Sequence, residues 1–214
     1  MKQMKIKAIL FDMDGVLIEA KEWHYEALNR ALKLFGMPIS RFDHLTSFDG
    51  LPTKRKLELL SLESGLPKEL HVFINEMKQK YTMEIVHAQC KPTFIHEYAL
   101  SNLKDKGYML AVCSNSVRNT VETMMQKSAL SGYLDFMVSN EDVNKGKPDP
   151  EMYLRAMEHF KLKPTECLII EDNENGIKAA RASGCHLLEV KEINEVNLSN
   201  IMNRIIEIEG GITL

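Results

Sequence analysis

The sequence predicts an α/β protein: a doubly wound, parallel-sheet core into which an all-helical domain is inserted. Three observations carry this. Short apolar runs (Ala8 to Phe11, Met109 to Cys113, Phe136 to Val138, Leu168 to Ile170, His186 to Val190) have the length and branching of buried strands. From about Lys91 onward these runs alternate with amphipathic stretches of helix length, the pattern of a parallel sheet covered on both faces. Between residues 18 and 88 there is helical periodicity and no strand signal. The economical division is a core of residues 1–17 and 89–214 with a helical domain of residues 18–88 inserted after the first strand.

The first strand, Ala8 to Phe11, runs straight into Asp12-Met13-Asp14-Gly15-Val16. A carboxylate at the end of a buried strand is costly unless something pairs with it, so two of them mark a site rather than a core. Trp23, Ala27, Ala31 and Phe35 recur every four residues, with Gly36 as a stop, and form an amphipathic helix. A second helix starts with Thr53 as N-cap after Pro52 and carries Leu57, Leu59, Leu60 and Leu62 to Gly65. A third runs from about Pro67 through Leu70, Phe73, Ile74, Met77, Tyr81 and Ile85.

Past the insertion, a helix from about Pro92 to Lys106, stopped by Gly107, leads to the strand ending at Ser114. A helix from about Val117 to Lys127 precedes Phe136 to Val138. In Gly146-Lys147-Pro148-Asp149-Pro150-Glu151, Asp149 as N-cap and Pro150 at the first helical position start a helix through Met157 and Phe160. Leu168 to Ile170 ends at Glu171-Asp172. A helix from Glu174 to Ser183, closed by Gly184, then leads to the last strand and a terminal helix from Ile193 to Ile208.

Composition bounds the function. With 214 residues, 44% hydrophobic and 27% charged, the chain is of ordinary globular make and long enough to bury a real core. A formal net charge of −3 gives no reason to expect nucleic acid or an anionic membrane as partner. Cys90, Cys113, Cys167 and Cys185 show no C-x-x-C spacing and read as reduced thiols, two of them inside apolar runs. The basic start, Met1 to Lys5, precedes an apolar stretch too short for a signal sequence, and no run reaches transmembrane length. The expectation is a cytoplasmic protein, monomeric because no long exposed apolar seam is evident.

In doubly wound sheets, sites form outside the carboxyl ends of the strands. Those ends carry Asp12 and Asp14, Ser114, the loop with Lys147, and Glu171 with Asp172. Four carboxylates offer oxygen ligands to a hard cation, Mg2+ before zinc, and no His/Cys cluster has zinc spacing. Lys147 adds a positive charge, and the Ser114 hydroxyl with the amides of the next helix N-terminus adds donors. Such a set neutralises a phosphoryl group in its transition state. One aspartate can attack phosphorus while the carboxyl two residues along carries protons. A calcium loop beginning at Asp12 would need a glutamate at its twelfth position, where Trp23 stands. Asp172 can also serve as N-cap of the helix at Glu174. Of the histidines only His24 is a candidate contact, and it reads equally well as an exposed helix residue; Trp23 reads as packing.

Phe11-Asp12-Met13-Asp14-Gly15-Val16, Ser114-Asn115-Ser116, Gly146-Lys147-Pro148 and Glu171-Asp172 together resemble the four ordered motifs of haloacid dehalogenase-like hydrolases, spanning nearly the whole chain. The resemblance implies Asp12 as nucleophile and Asp14 as acid/base. It implies Ser114 and Lys147 as phosphate ligands with Asn115 as a further substrate contact, and Mg2+ held by Asp12, the Asp14 carbonyl and Asp172 with Glu171 in or near its shell. The Asp-x-Asp pair favours phosphoryl transfer over dehalogenation. The inserted helices look like the family's small α-helical cap, with Trp23-His24 and Gly50-Leu51-Pro52-Thr53-Lys54 at the places where such caps meet substrate. On the simplest gapless match Thr53 falls where the β-phosphoglucomutase branch has an arginine, and Lys54 or Arg55 could stand in only with a shifted register, which favours a phosphatase of a small phosphorylated metabolite over a phosphomutase. A non-catalytic, phosphate-sensing member of the fold is the third reading, disfavoured because every catalytic position is intact.

Overall fold

The computed structural model describes residues 6–48 and 51–210; the readings made on Met1 to Lys5 and on Gly50 lie outside the described residues. The chain divides into two compact units, Met1–Glu19 with Lys91–Leu214, and Ala20–Cys90. Strand β1, Ala8–Phe11, is buried at every position. Immediately after it the chain turns tightly. The Gly15 N–H donates to the Ile18 carbonyl at 2.7 Å and the Ile18 N–H to the Met13 carbonyl at 2.9 Å. Gly15 takes φ +93°, a backbone region that favours glycine, and this turn fixes where Asp14 stands relative to the strand end.

The unit Ala20–Cys90 contains α1 (Lys21–Lys33), α2 (Arg41–Asp43), α3 (Thr53–Ser64) and α4 (His71–Gln89). Leu28, Ala31 and Leu32 of α1, Leu57 and Leu60 of α3 and Ile74 of α4 share one apolar cluster, at the helical spacings the sequence shows. Phe35, read as the fourth apolar residue of the first helix, instead lies past its end and meets Phe73 edge-on, ring centroids 5.9 Å apart. Thr53 is the first residue of α3 rather than its cap, a position held by Pro52. The short α2 and the π-helical turn His44–Phe48 have no apolar period that could announce them.

The remaining elements are α5 (Phe94–Asp105), β2 (Met109–Cys113), α6 (Arg118–Lys127), β3 (Phe136–Val138), α7 (Glu151–Phe160), β4 (Cys167–Glu171), α8 (Glu174–Ser183), β5 (His186–Glu189) and α9 (Leu198–Ile208). The terminal helix expected from Ile193 is broken into a 3-10 turn, Ile193–Glu195, and α9, which Asn197 caps through the Asn200 N–H. Helix α7 begins at Glu151, one residue later than read, and Asp149 accepts the Glu151 N–H at 3.1 Å. None of the four cysteines forms a disulfide. No described helix is long and apolar enough to cross a membrane.

The five strands are all parallel, in the order β3-β2-β1-β4-β5. The strand order reverses direction between β1 and β4, the crevice where doubly wound sheets place their sites. Ala8, Leu10, Ala111, Cys113, Val138, Cys167 and Ile169 pack against α7 and α8. The intervening Ile9, Leu110, Val112, Leu168 and Ile170 point to the other face by strand alternation and are equally buried. Helices α5 and α9, in contact with each other and with β2 and β5, cover that face.

The loop after β3 is pinned by Asp142. Its carboxylate accepts from the Ser139 N–H at 2.8 Å and the Ser139 hydroxyl at 2.6 Å, and pairs with Arg118 at the start of α6. Partial burial alone would raise this carboxyl, but the bonds from Arg118 and Ser139 outweigh it and hold it at about 2, against an ordinary 3.8. A depressed carboxyl stabilises the fold fully above its ordinary value and loses that contribution as pH falls toward the folded value. Asp142→Asn is expected to lower the unfolding free energy by about 1 kcal/mol at pH 7 in urea melts. The gap to the wild type should narrow below pH 4; an equal gap at pH 7 and pH 3 would reject the assignment.

Candidate active site

Asp12 and Glu171 are brought together by register. Phe11 pairs with Ile170 across β1 and β4, so the next residues on each strand stand side by side, and the Asp12 N–H still donates to the Ile170 carbonyl at 3.0 Å. Strand parity turns both carboxylates to the face of Leu10 and Ile169, the one α7 and α8 cover. Two like charges at neighbouring sheet positions repel. Lys147, only 3% exposed, answers that repulsion: its Nζ lies 2.5 Å from Asp12 Oδ1 and 2.5 Å from Glu171 Oε1. Burial alone would lower the Lys147 ammonium, but Asp12 and Glu171 outweigh it and push it above its ordinary value. Burial, then the charge of Glu171, pushes the Asp12 carboxyl well above the usual range, with Lys147 pulling the other way.

The Lys147 backbone is held by Asn115, whose Oδ1 accepts the Lys147 N–H at 2.9 Å and whose Nδ2 donates to the Lys147 carbonyl at 3.2 Å. The sequence points to Asn115 as a substrate contact; in the structure its amide is engaged in placing the lysine. Ser114 follows β2 directly, fully buried, and its Oγ accepts the Ser116 N–H at 3.0 Å. A serine hydroxyl that accepts still has its O–H to donate. The Ser116 hydroxyl donates to Asp14 Oδ2 at 3.3 Å. The N-terminus of α6, read as a source of amide donors, already gives the Arg118 N–H to Glu141 Oε2 at 2.7 Å. Asp172 is not the cap of α8; Asn173 accepts the Asn175 and Gly176 amides there.

Ligand oxygens of Asp12, Glu171 and Asp172 all lie within 4.8 Å of one another. Two ligands across an octahedral Mg2+ are about 4.2 Å apart, so small adjustments would seat such an ion among them. The donors are all hard oxygens, and the carboxylates of Asp12, Glu171 and Asp172 outnumber the one ammonium of Lys147, so charge and chemistry both fit a divalent cation.

His24 and Thr53 belong to the other unit, at the start of α1 and α3 respectively, and His24 Nδ1 lies 3.5 Å from Lys78 Nζ there. Two residues of the core site escaped sequence reading. The Tyr153 hydroxyl donates to Glu171 Oε1 at 2.5 Å, and burial, then Glu171, pushes its ionisation well above the ordinary range. Gly176, in the first turn of α8, leaves room for Glu171: a Cβ there would sit 1.9 Å from Oε1. A tyrosine on an apolar helix face and a glycine near a helix start carry no local signal of either role.

A family profile described as haloacid dehalogenase-like hydrolase matches residues 9–190. The phosphorylated carbohydrates phosphatase of Thermotoga maritima is 29% identical over 182 residues, 84% of this chain and 82% of that one. A phosphoglycolate phosphatase of Aquifex aeolicus is 30% identical over 179 residues, again 84% and 82% of the two chains. Among solved structures, a β-phosphoglucomutase from Clostridium difficile aligns with a TM-score of 0.83 at 21% identity, covering 96% of this chain and 99% of that one, a likeness of fold.

The glycine cradle is testable by stability. Gly176→Ala would gain up to about 1 kcal/mol of helix propensity, whereas overpacking a filled site costs about 1–3 kcal/mol. The clash with Glu171 should win, and urea melts are expected to show a net loss of about 1–2 kcal/mol. A more stable alanine variant would show that Glu171 does not need the space.

Proposed function

The chain belongs to the haloacid dehalogenase-like hydrolases, and we propose that it is a Mg2+-dependent phosphatase hydrolysing a small phosphorylated metabolite, such as a sugar phosphate, through a phosphoryl group carried on Asp12. The carrying observation is the buried Lys147, 2.5 Å from the Asp12 carboxylate at the carboxyl end of β1. The same ammonium also holds Glu171, so one fixed cation serves the two carboxylates at the ends of β1 and β4. The two relatives named above as phosphatases support hydrolysis of phosphoric monoesters, and one of them supports a carbohydrate substrate.

In the first step an Asp12 oxygen attacks phosphorus and the bond to the substrate's alcohol oxygen breaks, with Asp14 giving that oxygen its proton. In the second, Asp14 takes a proton from water, which attacks the aspartyl-phosphate; inorganic phosphate leaves and Asp12 is restored. Lys147 balances charge on the transferred group, and the Ser114 O–H donates to one of its oxygens. Mg2+ held by Asp12, the Asp14 carbonyl and Asp172, with Glu171 in or beside its shell, would supply the remaining charge neutralisation. We assign choice of leaving group to the helical unit Ala20–Cys90 as a cap, with His24 and Thr53 as its contacts.

Asp12→Asn is expected to cut turnover at least about 1,000-fold with an unchanged circular dichroism spectrum, and EDTA should abolish wild-type activity until Mg2+ is returned. Full activity in the asparagine variant would reject the reading. With β-glucose 1-phosphate and a bisphosphate primer, release of inorganic phosphate is expected; accumulation of glucose 6-phosphate would instead identify a mutase.

A further inference from the structure

We propose that Tyr153 is a positioning residue: its hydroxyl holds the Glu171 carboxylate as the fixed counter-ion of Lys147 and keeps that carboxylate from joining the metal's ligands. This rests on the phosphatase reading above for the identity of the cation.

Tyr153 is fully buried, and its hydroxyl donates to Glu171 Oε1 at 2.5 Å, the same oxygen that accepts from Lys147 Nζ at 2.5 Å. The other oxygen, Oε2, accepts the Asp172 N–H at 3.2 Å. A carboxylate oxygen has about two lone-pair sites, so Oε1 is filled by these two donors. The cradle at Gly176 closes the third side, since even a methyl there would collide with both carboxylate oxygens, at 1.9 and 2.2 Å. Tyr153 also touches the other half of the pair. Lys147 Nζ lies 5.0 Å from its ring centroid, a cation–π distance. One side chain therefore meets the ammonium with its ring and the carboxylate with its hydroxyl. It sits in the first turn of α7, its N–H bonded to the Pro150 carbonyl at 2.9 Å, so it is fixed to the same short stretch that carries Lys147.

The three carboxylates near the cation site then divide. Asp12, with one oxygen on Lys147, and Asp172 are the carboxylates assigned to the metal, and Glu171, with both oxygens engaged by Tyr153, Lys147 and the Asp172 amide, acts on the lysine. Removing the hydroxyl opens a place on Oε1. Glu171 then gains freedom to turn to the cation, and Lys147, with a less fixed counter-ion, is placed less well against a phosphate oxygen. Turnover falls while metal binding tightens. A tyrosine that merely fills space would produce neither, and Tyr153→Phe keeps the ring, nearly all the volume and the contact with the ammonium.

The test is Mg2+ titration calorimetry on the substrate-free full chain, with steady-state release of phosphate from a sugar-phosphate panel. For Tyr153→Phe the Mg2+ Kd is expected to fall roughly three- to tenfold and kcat to fall about tenfold, with KM changed less than about threefold. In a Glu171→Gln background the same substitution should leave the Mg2+ Kd unchanged, because the hydroxyl acts through the Glu171 charge. Unchanged Kd and kcat would overturn the proposal, as would Mg2+ binding that weakens in step with a lower melting temperature. If the wild type binds Mg2+ but releases phosphate from no ester, the phosphatase reading falls, and the calorimetric comparison alone decides the role of Tyr153.

Discussion

A lysine ammonium buried between two carboxylates that the sheet register forces together is the constraint to which the rest of the core answers. Asp12 and Glu171 are neighbours because β1 and β4 are neighbours, and strand parity leaves both under α7 and α8. Without Lys147 the two would be uncompensated charges in an apolar layer, and breaking a buried pair in this way costs about 3–5 kcal/mol. The loop that delivers the lysine is accordingly fixed at its backbone. Asn115 clasps both the N–H and the carbonyl of Lys147, and position 146 is glycine where a Cβ would come within 2.5 Å of Asn115 Oδ1. The glycine permits the clasp, the clasp places the lysine, and the lysine permits the carboxylates.

What could be read from the residues alone depended on whether the signal was local. The strands announced themselves because a short branched apolar run is a local pattern, and Asp12, Ser114, Glu171 and Asp172 stood out because a polar group ending such a run is anomalous. The geometry gathers Asp12, Lys147, Glu171 and Asp172, and ties Asp14 to the Ser114 loop through Ser116. Tyr153 and Gly176 gave no such signal. Each is ordinary beside its sequence neighbours, and each acquires its place only when α7 and α8 close over the end of β4, a long-range fact. The helical unit was legible where its apolar period held, as at Leu28, Leu57 and Ile74, and illegible at Arg41 to Phe48, where no period exists.

Helix α6 shows how an expectation drawn from general electrostatics yields to a particular contact. A helix N-terminus attracts anions. Here Glu141 of the following loop supplies one, accepting the Arg118 amide, while Arg118 itself reaches Asp142. The helix end is thus used to tie the β2 and β3 loops together. The polar groups that face the Asp12 carboxylate come instead from a side chain, Lys147, at the head of α7. That placement is stiffer than an unbraced loop amide would be, because the lysine is held at its backbone and at its tip.

Several local rules are broken together around one carboxylate of the core. A glycine sits in the first turn of α8 at a helix-propensity cost of about 1 kcal/mol, a lysine is buried, like charges stand side by side, and a hydroxyl intrudes on an apolar layer. All four belong to residues within reach of the Glu171 carboxylate. Elsewhere the sheet follows its pattern: β1 is apolar throughout, and alternate residues of β2 and β4 fill the two faces. Replacing a buried ion pair by apolar side chains of similar size is often neutral or gains about 1–4 kcal/mol. Stability alone would therefore not keep this arrangement. Costs gathered around one carboxylate, at the carboxyl end of the sheet's central strands, are what a site retained for its chemistry leaves in a structure.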